Sequence, residues 1–143
     1  MSFLNSLDIG KNALSAQRLR MDVITQNISN AETTRTADGG PYTRQLVVFE
    51  ERTSFKQLLG EKRKRTNYEG VTVAAVVEDD APYVPVYDPT HPDADENGYV
   101  MMPNVDTTKE MLDLMAATRS YEANVTAINA VKAMASRALQ IGR

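Results

Sequence analysis

The stretch Thr107–Ile141, TTKEMLDLMAATRSYEANVTAINAVKAMASRALQI, contains neither proline nor glycine. Its opening, Thr107-Thr108-Lys109-Glu110, fits a capping box, in which the Thr107 hydroxyl accepts the Glu110 N–H and Glu110 reaches back to the cap. Asp106, Glu110 and Asp113 stand at the positive end of the helix dipole, and Arg137 and Arg143 near its negative end. Met111, Leu114, Thr118, Tyr121, Val125, Ile128, Ala135 and Leu139 recur mostly in steps of three and four, the spacing of one helix face. A helix of this length spans roughly 50 Å at about 1.5 Å per residue. A compact chain of 143 residues is only about 35–40 Å across. The helix therefore overhangs any globule this chain can build.

Working outward, the other end of the chain carries a matching element. From Ser6 to about Ala31, Leu7, Leu14, Met21 and Ile28 recur at a strict seven-residue step, with Gly10, Gln17, Ile24 and Ala31 in the companion position. That is a helix with a heptad-like seam. Between the helices, residues 35–105 hold all six prolines and five of the seven glycines. Such composition belongs to strands and turns. Gln45–Glu51 and Gly70–Glu78 read as the strongest strands, with Tyr83–Tyr87 and Tyr99–Met102 weaker, because prolines remove ladder donors around them. The expected fold is α+β: long antiparallel terminal helices in a coiled-coil-like hairpin, carrying a small irregular β domain at the far end. The expected division is an N-terminal helix at 1–34, a β-rich segment with long arms at 35–105, and a C-terminal helix at 106–143.

Composition narrows the function. Leu, Ile, Val and Phe number 31 of 143 residues, so a large core is not available. There is no cysteine and one histidine, His91, which excludes disulfide frameworks, thiolate chemistry and cysteine zinc sites. A net charge of −3 argues against a dedicated nucleic-acid binder. No apolar run approaches the ~20 residues needed to span a bilayer, and no Sec-type signal is expected at the N-terminus. A single seam leaves Ile9, Leu19, Val23, Leu112, Met115, Val131, Met134 and Ile141 without partners, and surplus apolar faces on a long helix expect to be covered by neighbours. The pattern is that of a subunit. Seam residues expected to mediate assembly are Leu7, Leu14, Met21, Ile24, Ile28, Met111, Leu114, Tyr121, Val125, Ile128 and Leu139.

Two motifs then carry a resemblance. The first helix ends in Arg20–Thr33 (RMDVITQNISNAET), which resembles the Asn-x-x-Asn-x-x-Thr ending shared by axial proteins of the bacterial flagellum, the rod and hook subunits; here it is Asn27, Asn30 and Thr33, with Ser29 where alanine is commoner. Val86–Val100 (VYDPTHPDADENGYV), followed by Pro103-Asn104-Val105-Asp106, is similar to the proximal-rod members of that family, as is Leu114–Val125. The resemblance marks Tyr87, Asp88, Pro89, His91, Pro92, Asp93, Asp95, Gly98, Tyr99, Pro103 and Asn104 as a family arm. It implies a structural subunit of the basal-body rod in the periplasm, exported by the flagellar type III apparatus, without enzymatic activity or cofactor. The partners it implies are other copies of the chain, the rod subunits FlgB, FlgF and FlgG, and the export gate with its FliE base. Asn27 and Asn30 are expected to cap the helix end, where asparagine bonds local backbone.

Three features admit other readings. Asp93-Ala94-Asp95-Glu96-Asn97-Gly98 opens like a calcium loop, but Asn104 stands where the completing glutamate belongs, so a self-bonded turn is expected. His91 has no second strong ligand or nucleophile beside it in sequence and is expected to donate a hydrogen bond that locks the arm. Lys62-Arg63-Lys64-Arg65 reads as a solvated loop tip, or as the patch of a nucleic-acid module. The alternative from a different class is a soluble helical adaptor holding a single protein partner.

Overall fold

The computed structural model describes residues 3–37, 39–52 and 70–141. Helix α1 (Phe3–Ser29) and helix α2 (Thr107–Ile141) pack against each other, and between them in sequence come strands β1 (Gln45–Glu51), β2 (Val71–Glu78), β3 (Val84–Tyr87) and β4 (Tyr99–Met102). The strands form two separate antiparallel pairs, β1 with β2 and β3 with β4. The α+β class with long terminal helices is as the sequence predicts, and α2 has the bounds read from its cap and its freedom from helix breakers.

The helices are antiparallel in a fixed register. Gly10 faces Ile128, Met21 meets Thr118, and Asn27 meets Glu110, so the numbers of facing residues add to 137–139. Phe3 then lies level with about Ala135, and the last turn and a half of α2 has no counterpart on α1. Leu139 is accordingly 77% exposed. Gly10, a poor knob by sequence, is instead a hole: a Cβ built there would lie 2.6 Å from Ile128 Cγ1. The glycine costs helix propensity of about 0.5–1 kcal/mol and lets the two helices approach.

The seam on α2 runs one residue away from the sequence reading at its start. Glu110 and Ala117 are buried and Leu114, Tyr121, Val125 and Ile128 partly covered, while Met111 is 54% exposed. Met111 and Leu139 are thus corrected out of the hairpin contact, the first by helical phase and the second by overhang. On α1, Val23 is buried beside Ile24, although the heptad pattern leaves it off the seam. Its cover is the sheet side of the helix: β1 and β2 both pack on α1.

That packing also corrects the expected place of the strands. The β1–β2 pair lies along the flank of α1 rather than beyond the end of the hairpin. The Asn27 amide bonds Gln45 at one end of β1, and Arg52 reaches Asn12 (3.3 Å) at the other. Fifteen helical residues cover about 22 Å. The seven extended steps from Gln45 to Arg52 cover about 23 Å, so the strand fits the helix it accompanies. The ladder skips Ala74, with Val48 opposite Ala75 and Phe49 opposite Val73. Such a bulge adds local twist. Buried apolar residues among those described include Ala16, Val23, Ile24, Tyr42, Val100 and Ala117, a small core in keeping with the composition.

Candidate functional site

Asn27 and Glu110 are each only 1% exposed. An amide has two N–H donors and two acceptor lone pairs, and Asn27 uses all four. Its Nδ2 donates to the Gln45 carbonyl (2.9 Å) and to Glu110 Oε2 (3.0 Å). Its Oδ1 accepts from the Tyr42 hydroxyl (2.9 Å) and from the Gln45 N–H (3.0 Å). Arg44 closes the other side of Glu110, with Nε at 2.8 Å and Nη2 at 2.6 Å from Oε1, and its Nη1 reaches Asp79 at 2.9 Å. Asn104 completes the cluster: its Oδ1 accepts the Arg44 N–H (2.8 Å), and its Nδ2 donates to the carbonyls of Asp79 and Ala81. One polar hub therefore joins α1, the start of β1, the end of β2, the lead into α2 and α2 itself.

Two sequence expectations change here. Asn27 does not cap the helix end; it points sideways into the hub. Asn30 does close the helix, its Nδ2 donating to the Gln26 carbonyl (2.9 Å) and its Oδ1 accepting from Thr33 (3.2 Å). The capping box at α2 is also replaced. Asp106 is the cap, its Oδ1 accepting the Thr108 and Lys109 N–H groups. Glu110 is released from the helix end and turned inward. Sequence reasoning missed the hub because Asn27 and Glu110 each had a local role to fill. The available signal was a polar residue at 27 on the same face as Ile24 and Ile28, with Tyr42-x-Arg44 just downstream.

One cation in the hub, Arg44, serves two carboxylates, Glu110 and Asp79. Burial alone lowers the Arg44 pKa, but its hydrogen bonds and charge pairing with Glu110 and Asp79 outweigh that, and the net shift is upward. The Asp79 carboxyl is held below its ordinary range by Arg44 first and by the Ala81 N–H second. Tyr42 is raised by burial, then by the charges of Glu110 and Glu78, so its hydroxyl stays a donor past the usual phenol range.

The family arm is a self-bonded loop closing the β3–β4 pair. Asp88 accepts from the Thr90 hydroxyl (2.6 Å) and N–H (3.0 Å), which lowers its pKa. Asp95 Oδ1 accepts the Asn97 and Tyr99 N–H groups, both at 2.9 Å. Gly98 has φ +80° and sits where a Cβ would lie 3.0 Å from the Tyr87 ring and 3.3 Å from Pro89. Tyr87 and Tyr99 meet edge to face with centroids 5.3 Å apart. Asp93 accepts from the Thr34 hydroxyl (2.8 Å) and pairs loosely with Arg35 (3.8 Å), tying the arm to the chain leaving α1. His91 acts opposite to expectation: its Nδ1 accepts the Asp93 N–H (3.1 Å) and so carries no proton in that arrangement. Pro92 is exposed and Pro103 buried next to the Asn104 clamp. The Asp93 and Asp95 carboxylates of the calcium-like run are thus turned to Thr34 and to N–H groups inside the loop, while Glu96 is exposed. Lys62–Arg65 lies outside the described residues.

A pH dependence follows. The lowered Asp79 and Asp88 values make the folded state bind protons less readily than the unfolded chain, so their contribution is full above the ordinary carboxylate pKa and disappears as pH falls through the lowered values. The urea midpoint should be flat from about pH 5 to 9 and fall below about pH 4, and Asp88→Asn should blunt that fall. An acid limb unchanged by the substitution would remove Asp88 from the account.

Comparison with known proteins gives family matches at both ends of the chain. The family described as "Flagella basal body rod protein" matches residues 7–35, and "Flagellar basal body rod FlgEFG protein C-terminal" matches residues 96–141. The chain is 45% identical over 150 residues to the flagellar basal-body rod protein FlgC of Bacillus subtilis (strain 168), covering 100% of both chains. It is 43% identical over 143 residues to FlgC of Salmonella typhimurium, again over 100% of both. With FlgC of Borreliella burgdorferi it shares 42% over 149 residues, 99% of this chain and 98% of the other. Both termini and the arm between them fall within these matches, and the chain belongs to the flagellar basal-body rod protein family, in its FlgC branch.

Proposed function

We propose that this rod-family chain is a non-enzymatic axial subunit of the proximal rod. It assembles with other copies and with the neighbouring rod subunits through its terminal helices, into the shaft that transmits torque across the periplasm after export by the flagellar type III apparatus. The division into helical segments at 1–34 and 106–143 and a β-rich segment at 35–105 is part of this reading. The observation that carries it is apolar surface left on α2 after the hairpin has formed: Leu112 is 60% exposed, Met115 52% and Met134 62%. Long helices with such residues facing water are suited to being surrounded.

The exposed residues give a cleaner test than the seam. Ile28 and Val125 are partly covered inside the chain, so a charge there disturbs the hairpin as well as any assembly. Leu112→Asp and Met115→Asp should leave the urea midpoint of the purified chain within about 0.5 kcal/mol of the parent, as for surface substitutions generally. The same variants should abolish incorporation into basal bodies, and with it swimming. Normal swimming of the double variant would sink the reading, whereas a defined complex with one protein and no rod incorporation would favour the adaptor.

A further inference from the structure

On α1 the inward positions are Leu7, Gly10, Leu14, Gln17, Met21, Ile24 and Ile28; on α2 they are Leu114, Ala117, Tyr121, Asn124, Ile128, Val131 and Ala135. Both sets repeat every seven residues. A seam with that repeat nearly superposes on itself when one helix slides by one heptad, about 10 Å. Sliding α2 to put Ala135, rather than Ile128, against Gly10 would keep about as many apolar pairs, with Asn124 then opposite Met21 instead of Leu14 and Gln17 opposite Ile128 instead of Tyr121. It would also bring the exposed Leu139 over Ser6 and Leu7, covering the overhang. Apolar packing therefore does not choose the observed register. Gln17 does not choose it either, because its Oε1 is buried without a hydrogen-bond partner in the register that forms.

The hub does choose. In the slid register Asn27 would face Ala117 and lose its bond to Glu110, and Glu110 would leave Arg44. The Asn104 clamp, which fixes the lead into α2 against Arg44, Asp79 and Ala81, would have to open as well. We propose that Asn27, Arg44, Asn104 and Glu110 are the register-determining residues of the hairpin. They hold the longer helix in the alignment that leaves its last turn and a half free, against a seam that would accept another. This is a property of the free chain, whatever it assembles with.

The chain has no cysteine of its own, so disulfide pairs can report the alignment. In the full-length purified chain, Gly10→Cys with Ile128→Cys reads the observed register, and Gly10→Cys with Ala135→Cys reads the slid one, the latter carrying Ile128→Ala so that the new Cβ does not meet Ile128 Cγ1. With the hub intact, oxidation should link the first pair at least tenfold more than the second. With Asn27→Leu, Arg44→Leu, Asn104→Ala and Glu110→Leu together, the second pair should link to a yield comparable to the first while circular dichroism keeps the helical signal. Helix retained with only the first pair linking would overturn the proposal. Should the fourfold variant lose its helices, the decision passes to the converse arm. There Leu14→Ala and Leu114→Ala weaken the seam around an intact hub; linkage confined to the first pair supports the proposal, and appearance of the second overturns it.

Discussion

Replacing Asn27 with alanine is expected to cost ~4 kcal/mol of folding stability, the largest effect of any single substitution outside the charged pair. The substitution takes four hydrogen bonds at once and leaves the Tyr42 hydroxyl, both backbone groups of Gln45 and Glu110 Oε2 short of a partner. Each buried group left unsatisfied costs about 1–3 kcal/mol, and the Tyr42 hydroxyl, at the edge of the buried set, recovers part by turning to water. Total stability for a domain of this size is about 5–15 kcal/mol. A urea titration followed by circular dichroism should therefore show the midpoint drop by a third or more. Asn27→Asp should be no milder, because a second carboxylate would meet Glu110 and the Gln45 carbonyl would lose its donor. A loss below about 1 kcal/mol for Asn27→Ala would mean the amide is not the keystone its geometry indicates.

Arg44→Ala is expected to rival it. Glu110 keeps its burial and loses the guanidinium that bonds Oε1 twice, and breaking one side of a buried pair costs about 3–5 kcal/mol. The paired replacement Arg44→Met with Glu110→Leu should recover part of that loss, since no unpaired charge is left in the interior, while one Asn27 N–H loses its acceptor. The measurement is a double-mutant cycle in urea. Strict additivity of Arg44→Ala and Glu110→Ala would show that the two side chains do not act on each other, against the 2.6 Å contact between them.

The backbone plan was legible in the sequence because its signals are local. Thr107–Ile141 has no breaker, and Gln45–Glu51 and the run ending at Glu78 are β-branched stretches between turn residues. The arm was legible as a unit, since Asp88, Asp95 and Gly98 bond or turn within a few residues of themselves. The hub was not, because every one of its bonds is long-range and its members have plausible local duties. Asn27 reads as a helix end, Glu110 as a capping partner, Asn104 as a failed cation ligand. The start of the α2 seam was misphased for the same reason: at positions 110 and 111 the apolar residue faces water and the charged one faces inward, an inversion that only Arg44 and Asn27 make tolerable. The flanking position of β1 and β2 was equally hidden, because it depends on a match in length between a helix and a strand.

The hub's bonds also bear on how fast the chain can fold. Asn27 and Glu110 are 83 positions apart, and Arg44 and Glu110 are 66. Each helix can flicker into existence within about a microsecond from local contacts. Nothing rewards the pairing of the two until a loop of more than half the chain has closed, and that entropy must be met before the buried amide and carboxylate find each other. Closure must wait for residue 110 to be available, so a chain emerging from its N-terminus can pair β1 with β2 against the first helix but leaves the helix's other face open until then. Folding of this kind is gated by one late encounter, and its rate should respond to the length of the middle segment more than to the propensity of either helix.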